Sequence, residues 1–195
     1  MNKLLILGCL IVFSACKKNN DNSADAYIKF KANNVQYEWR GTSNVSDFNN
    51  QLPSVNTAGV LLVWYNYNGW TKNYMLFGHD FTNNRNQTFS LNIFPDSILT
   101  PSSYRYASGG PSAPFNICRF VNSTQGDMLL WKPGKQFVNE SSEDSIFITV
   151  SSVHDMQANG TFRGQLTDLG DLSQKMQISE GEFNNVPIVG YNLVR

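Results

Sequence analysis

The chain has 195 residues, with 15 Lys and Arg against 15 Asp and Glu, and three cysteines. That balance removes any electrostatic reason to expect a nucleic-acid partner. Two of the cysteines, Cys9 and Cys16, lie at the N-terminus; Cys118 alone is left for the body of the chain, which excludes a disulfide-built domain.

The N-terminus reads MNKLLILGCLIVFSACKKN. Lys3 supplies a positive n-region, residues 4–13 an uncharged apolar run, and Ser14 and Ala15 small residues directly before Cys16. This is the layout of a secretory signal, and the run is too short to span a bilayer as a helix. Phe13-Ser14-Ala15-Cys16 resembles the bacterial lipobox, with Phe13 where Leu is usual. It implies cleavage before Cys16 and lipidation of that cysteine by acyl chains such as palmitate, two or more of which hold a protein stably to a membrane. Cys9 after Gly8 is a rival position, and ordinary cleavage after Ala15 is the plain alternative. We therefore expect a signal peptide over 1–15, a lipidated Cys16 with a polar tether over 16–25, and one folded domain over 26–195. Lys17 follows the cysteine where an Asp would favour inner-membrane retention, so the expected address is the outer membrane, on either face. Cleavage would remove Lys3 and no acid, leaving a formal charge of −1.

After residue 25 helical periodicity is almost absent and period-two alternation takes over. In AYIKFKA, Ala26, Ile28 and Phe30 share one face, and Lys29 and Lys31 the other. Asn33-Asn34 predicts a tight turn, since both residues tolerate positive φ. VQYEWR then returns with Val35, Tyr37 and Trp39 inward. Residues 41–58 read as a polar stretch. GVLLVWYNY at 59–67 is apolar on both faces and predicts a central strand covered on both sides. Asn68-Gly69 is a strong hairpin signal before a strand at 72–80, and TFSLNIF makes another.

Residues 95–116 hold four of the seven prolines and read as a long loop. Short strands are expected at 116–122 and 127–131, and a second polar loop over 132–144. SIFITVSSV at 145–153 predicts a strand that pairs with TFRGQLTD at 161–168 across residues 157–160. There Phe162, Gly164 and Leu166 face one way, and Thr161, Arg163 and Gln165 the other. A turn at Gly170-Asp171 leads to KMQISEGEF, with Met176 and Ile178 inward and a bulge at Gly181. These elements predict an all-β fold: a single antiparallel β-sandwich of nine or ten strands, or alternatively a β-barrel.

Two stretches carry a family resemblance. ANGTFRGQL followed by MQISEGEFNNVPI, together with the opening YIKFKANNVQYEW, resembles uncharacterised Bacteroidota lipoproteins whose all-β domains close in a similar hairpin. The 24 asparagines match that composition. The shared positions are turn glycines and core aromatics, so the resemblance implies fold and address, and no catalytic residues.

His79-Asp80 and His154-Asp155 are the only histidine positions that evoke a metal site. Adjacent strand side chains point to opposite faces, so each pair offers one inward ligand at most. No G-x-S-x-G elbow accompanies the serines. Cys118, in a strand-like run, reads as a buried thiol, and Glu140, Glu143 and Asp144 as a solvated loop. The expectation is a chain without catalytic residues, metal or cofactor.

Binding is the better candidate. Trp64, Tyr65, Tyr67, Trp70 and Tyr74 crowd one hairpin, and exposed rings flanked by amides can stack on sugars. Trp70 sits in the predicted turn; core packing explains most of the others. Tyr104, Arg105 and Tyr106 form a second candidate, which an ordinary edge strand explains equally well. Asp96-Ser97-Ile98 and Asp144-Ser145-Ile146 resemble the short Bacteroidota O-glycosylation motif, with Ser97 and Ser145 as acceptors. The expected role is a non-catalytic module for a glycan, peptide or envelope partner. Its alternatives are a structural envelope lipoprotein or an unrecognised hydrolase.

Overall fold

A computed structural model describes residues 26–43, 58–65, 73–95, 98–107, 118–124, 135–139 and 144–191. The signal, Cys16 and the tether lie outside the described residues, as do Tyr67, Trp70, Ser97, Glu140, Glu143, the Asn68-Gly69 turn and the expected strand at 127–131. No described helix is long and apolar enough to cross a membrane.

The fold is all-β, with eleven strands among the described residues: β1 Tyr27–Ala32, β2 Val35–Arg40, β3 Ala58–Tyr65, β4 Asn73–Asp80, β5 Arg85–Ile93, β6 Ser102–Ala107, β7 Cys118–Thr124, β8 Lys135–Val138, β9 Ser145–His154, β10 Gln157–Asp168 and β11 Lys175–Tyr191. They form one sheet in the order β2-β1-β11-β3-β4-β5-β7-β8-β10-β9-β6. Because β10 also pairs with β11, the hydrogen-bonded path from β11 through β3 and β8 to β10 returns to β11. All strand pairings are antiparallel but one: the end of β11 runs parallel to β3, with Ile188 opposite Leu62 and Tyr191 opposite Tyr65. A purely antiparallel arrangement is thus corrected. β3 and β11 are joined by no hairpin, so nothing local forces their directions to oppose.

The expected turn at Asn33-Asn34 forms, with both φ values positive at 48° and 67°. The second hairpin differs from expectation. Its turn is Asp155-Met156, at φ 47° and 57°, and residues 157–160 already belong to β10. Gly160 is not a turn glycine: a Cβ there would lie 2.2 Å from the Thr149 carbonyl oxygen and 2.4 Å from the Phe183 ring. It is small because two strands and an aromatic close over it. Gly181 does mark a bulge. Phe162 faces Gly181 while Gly164 faces Ile178, leaving one extra residue on β11, and Glu180 takes φ 52°.

Two loops of the sequence reading hold strands. The proline-rich 95–116 contains β6, and 132–144 contains β8. Each is short and gains its order from a longer neighbour: β6 lines up along β9, while β8 bridges β7 and β10.

The alternating residues meet in one core. Phe30 is fully buried, with ring centroids 4.8 Å from Phe89, 5.6 Å from Phe120 and 5.9 Å from Phe162. Such aromatic pairs contribute about 0.5–1.5 kcal/mol each beyond area burial. Trp39 is buried over Gly78, and Tyr37 packs against the same cluster. Val35 departs from the expected inward row: it is the outermost pair of the hairpin, facing Ala32, and is 55% exposed. The reading of β3 as covered on both sides holds, since Val60 and Leu62 lie in the main core and Leu61 and Val63 are fully buried on the opposite face with Phe77.

A candidate ligand groove on the outer face of β6, β9 and β10

In β9, Ile146, Ile148 and Val150 point into the core, so Phe147 and Thr149 point outward. A phenylalanine on the polar face of an alternating strand has no core to fill. Its register explains its surroundings: Phe147 stands opposite Arg105 of β6 on one side and Arg163 of β10 on the other. Both guanidinium carbons lie over its ring, 5.2 Å and 5.3 Å from the centroid. The two guanidinium carbons are therefore no more than about 10.5 Å apart. Cation–π contact of this kind is weak at exposed sites, but it fixes where the guanidinium sits.

Two further rows flank this one, each two residues along the strands and hence about 7 Å away. On one side Ser103, Thr149 and Thr161 are cross-strand neighbours, and the Ser103 and Thr149 hydroxyls are 3.1 Å apart. On the other side lie Ser145, Gln165 and Gln177. The central and first rows line a groove of about 520 Å³, and a second depression that shares Phe147 and Arg163 reaches the third row. That volume is in the range of small-ligand sites.

The electrostatics of the groove are uneven. Neither Arg105 nor Arg163 forms an ion pair or hydrogen bond with another described residue, and both are exposed. The acid that lines the groove is Glu180, aimed by the bulge, and its carboxylate accepts a hydrogen bond from Lys31 Nζ at 2.7 Å. Beyond it, Glu182 takes Lys29 at 2.8 Å and the Tyr27 hydroxyl. The Lys29 and Tyr27 hydrogen bonds hold the Glu182 carboxyl below its ordinary value, and the same contacts raise Tyr27 and Lys29. Glu180 and Glu182 are thus both engaged by lysines of β1.

The residues singled out in the sequence fall in different places. Arg105 lies in the groove. Tyr104 and Tyr106, its neighbours on β6, turn the other way and pack against the core, their rings 6.4 Å apart and nearly parallel. The Tyr106 hydroxyl accepts from the Phe94 backbone N–H at 2.8 Å. Trp64 also packs against the core, over Gly190, and Tyr74 is buried. Tyr65 is placed by its backbone alone, between Asn73 and Tyr191. Ser145 opens β9 and is partly exposed, whereas the preceding Asp144 is buried and accepts from the Thr167 hydroxyl at 2.9 Å. Asp144 is therefore part of a buried polar cluster and not of a solvated loop.

His79 is fully buried between Phe77 and Phe81, while His154 is exposed at the tip of the β9–β10 hairpin. Among the described residues no group of three His, Cys, Asp or Glu is placed to hold a metal ion. Cys118 is fully buried, and burial pushes its thiol pKa far up.

Phe147 and Arg163 are not among the site residues that the sequence singles out. The signal was present in SIFITV, where an aromatic occupies the face that alternation assigns to solvent, and in TFRGQL, where Arg163 was already assigned outward. What could not be read was that the two lie side by side. No family model, curated protein or solved structure matches this chain.

Proposed function

We propose that this chain is a lipid-anchored envelope protein of the Bacteroidota type. In this reading its β domain binds a glycan in the outer groove of β6, β9 and β10 without transforming it. Support for the address comes from the Phe13-Ser14-Ala15-Cys16 box and the polar tether after it. Support for binding rests on one observation: Arg105, Phe147 and Arg163 form a continuous row on the solvent side of the sheet, bordered by hydroxyl and amide rows. Such a lining suits a polyhydroxylated ligand, which exchanges hydrogen bonds with water for hydrogen bonds with Ser, Thr, Gln and Arg. Outer-membrane anchorage would present this face to polymers of the envelope or its surroundings.

The test is affinity electrophoresis of the Cys16→Ala chain through gels that contain neutral or acidic polysaccharides, alongside protease shaving of intact cells that carry the parent protein. Retardation by at least one polysaccharide, lost in Phe147→Ala, is the expected result. Free migration through every gel would reject glycan binding and leave a structural envelope lipoprotein. Cys16→Ala should move the full chain to the soluble fraction; an unchanged membrane fraction would reject the anchor.

A further inference from the structure

We infer that the groove recognises an acidic polysaccharide, whose carboxylate or sulfate-ester groups are taken by Arg105 and Arg163. The inference rests on the glycan-binding reading and adds the charge and shape of the ligand. Three observations carry it. First, the two guanidiniums share one ring and have no described carboxylate partner, although Glu180 lines the same groove. Glu180 is drawn to Lys31 instead. Arginine donates in a planar fork that matches a carboxylate or sulfate edge, and such charge-assisted bonds are stronger than neutral ones.

Second, the cationic row is central and its neighbours are neutral donors and acceptors. Ser103, Thr149 and Thr161 lie on one side, Gln165 and Gln177 on the other. A small free anion would use the arginines alone and leave both polar rows unused. A chain of sugars engages all three, with an anionic group on the central row and hydroxyls on the neutral rows about 7 Å to either side along the strands. Third, the attraction is local. The chain from Cys16 onward carries a formal charge of −1, so the molecule as a whole does not draw polyanions.

The test uses the Cys16→Ala chain in affinity electrophoresis and calorimetric titration. The ligands are polygalacturonate, dextran sulfate and neutral dextran at 0.15 M salt. Polygalacturonate or dextran sulfate should bind in preference to dextran, and Arg105→Gln and Arg163→Gln should each weaken that binding at least tenfold. The thermal midpoint should shift by no more than about 2 °C, because neither side chain is in the core. Arg119→Gln serves as a control for diffuse charge, since Arg119 is exposed on β7 and pairs with Gln136 at 2.9 Å; it should leave binding unchanged. Which of the two polyanions binds more tightly identifies the anion. Equal binding of dextran that survives both groove variants would overturn this inference and leave glycan binding standing. A loss in Arg119→Gln equal to that in Arg163→Gln would overturn it too, as non-specific attraction. Failure to bind any of the three, and any polysaccharide in the wider panel, would remove the underlying reading as well.

Discussion

The outer face of β3 and β4 and the outer face of β9 and β10 belong to the same sheet and have opposite fates. On β3 and β4, Leu61, Val63, Phe77 and His79 are all buried. On β9 and β10, the equivalent positions are Phe147, Thr149, Thr161 and Arg163, partly or fully exposed. Both regions are held from below by the same aromatic core, so the inner face does not decide the difference. The outer side chains do. GVLLVWY offers apolar groups on both sides and folds only where both are covered. SIFITVSS and TFRGQL alternate, and pay no penalty for meeting water. A single aromatic on such a wet face, clasped by two arginines, is then the feature that asks for a ligand.

Four measurements sharpen or break that comparison. The largest effect belongs to the shared core. Phe162→Ala removes a ring packed 5.0 Å from Phe89 and 5.9 Å from Phe30, and should cost about 3–5 kcal/mol in denaturant unfolding. A loss below about 1 kcal/mol would mean that the inner face is not one continuous core.

Leu61→Ala tests the covered outer face. Leu61 is fully buried there, so the variant should lose about 2–5 kcal/mol. A near-neutral result would show β3 open to solvent and erase the contrast with β9.

The third effect is smaller and depends on pH. Glu182 is more acidic in the folded protein than in the unfolded chain, so its contribution is present above the ordinary carboxyl value near pH 4.5. It is lost as pH falls through the folded pKa. Because the pair is more than a third exposed, solvent screens it and its contribution at neutral pH is small. Glu182→Gln should therefore lower stability slightly at pH 7 and match the parent protein in strong acid. A difference that grows on acidification would contradict the sign.

Smallest of all, Arg163→Gln should change stability by no more than about 0.5 kcal/mol, as exposed positions do. A large loss would make the arginine row a structural clamp and remove the reason to look for a ligand there.

Much of the fold was legible in the chain. Ile28 and Phe30, Phe162 and Leu166, and Met176 and Ile178 are inward as their spacing requires, and Asn33-Asn34 turns as expected. β6 was legible only as the edge-strand alternative for Tyr104, Arg105 and Tyr106, and β8 not at all, because four to six residues among prolines and polar groups carry too little pattern to outweigh a loop reading. The turn at Asp155-Met156 was hidden for a different reason: Gly160 looked like a turn residue but is small to admit Phe183. In the candidate site, the sequence singles out Arg105 beside two tyrosines that pack inward, and gives Phe147 only the outward place of an alternating strand.

Taken by itself, the sequence determined what is local. The period of two, the asparagine turn, the apolar run of β3 and the near-neutral charge each follow from residues a few positions apart. Tertiary structure decided the rest, because a residue's lateral neighbours in a sheet are set by strand pairing and register. The parallel seam between β11 and β3 is one such decision. The meeting of Arg105 and Arg163 over Phe147 is another: it exists only because β6 and β10 flank β9 in a register that a slip of one residue would turn inside out.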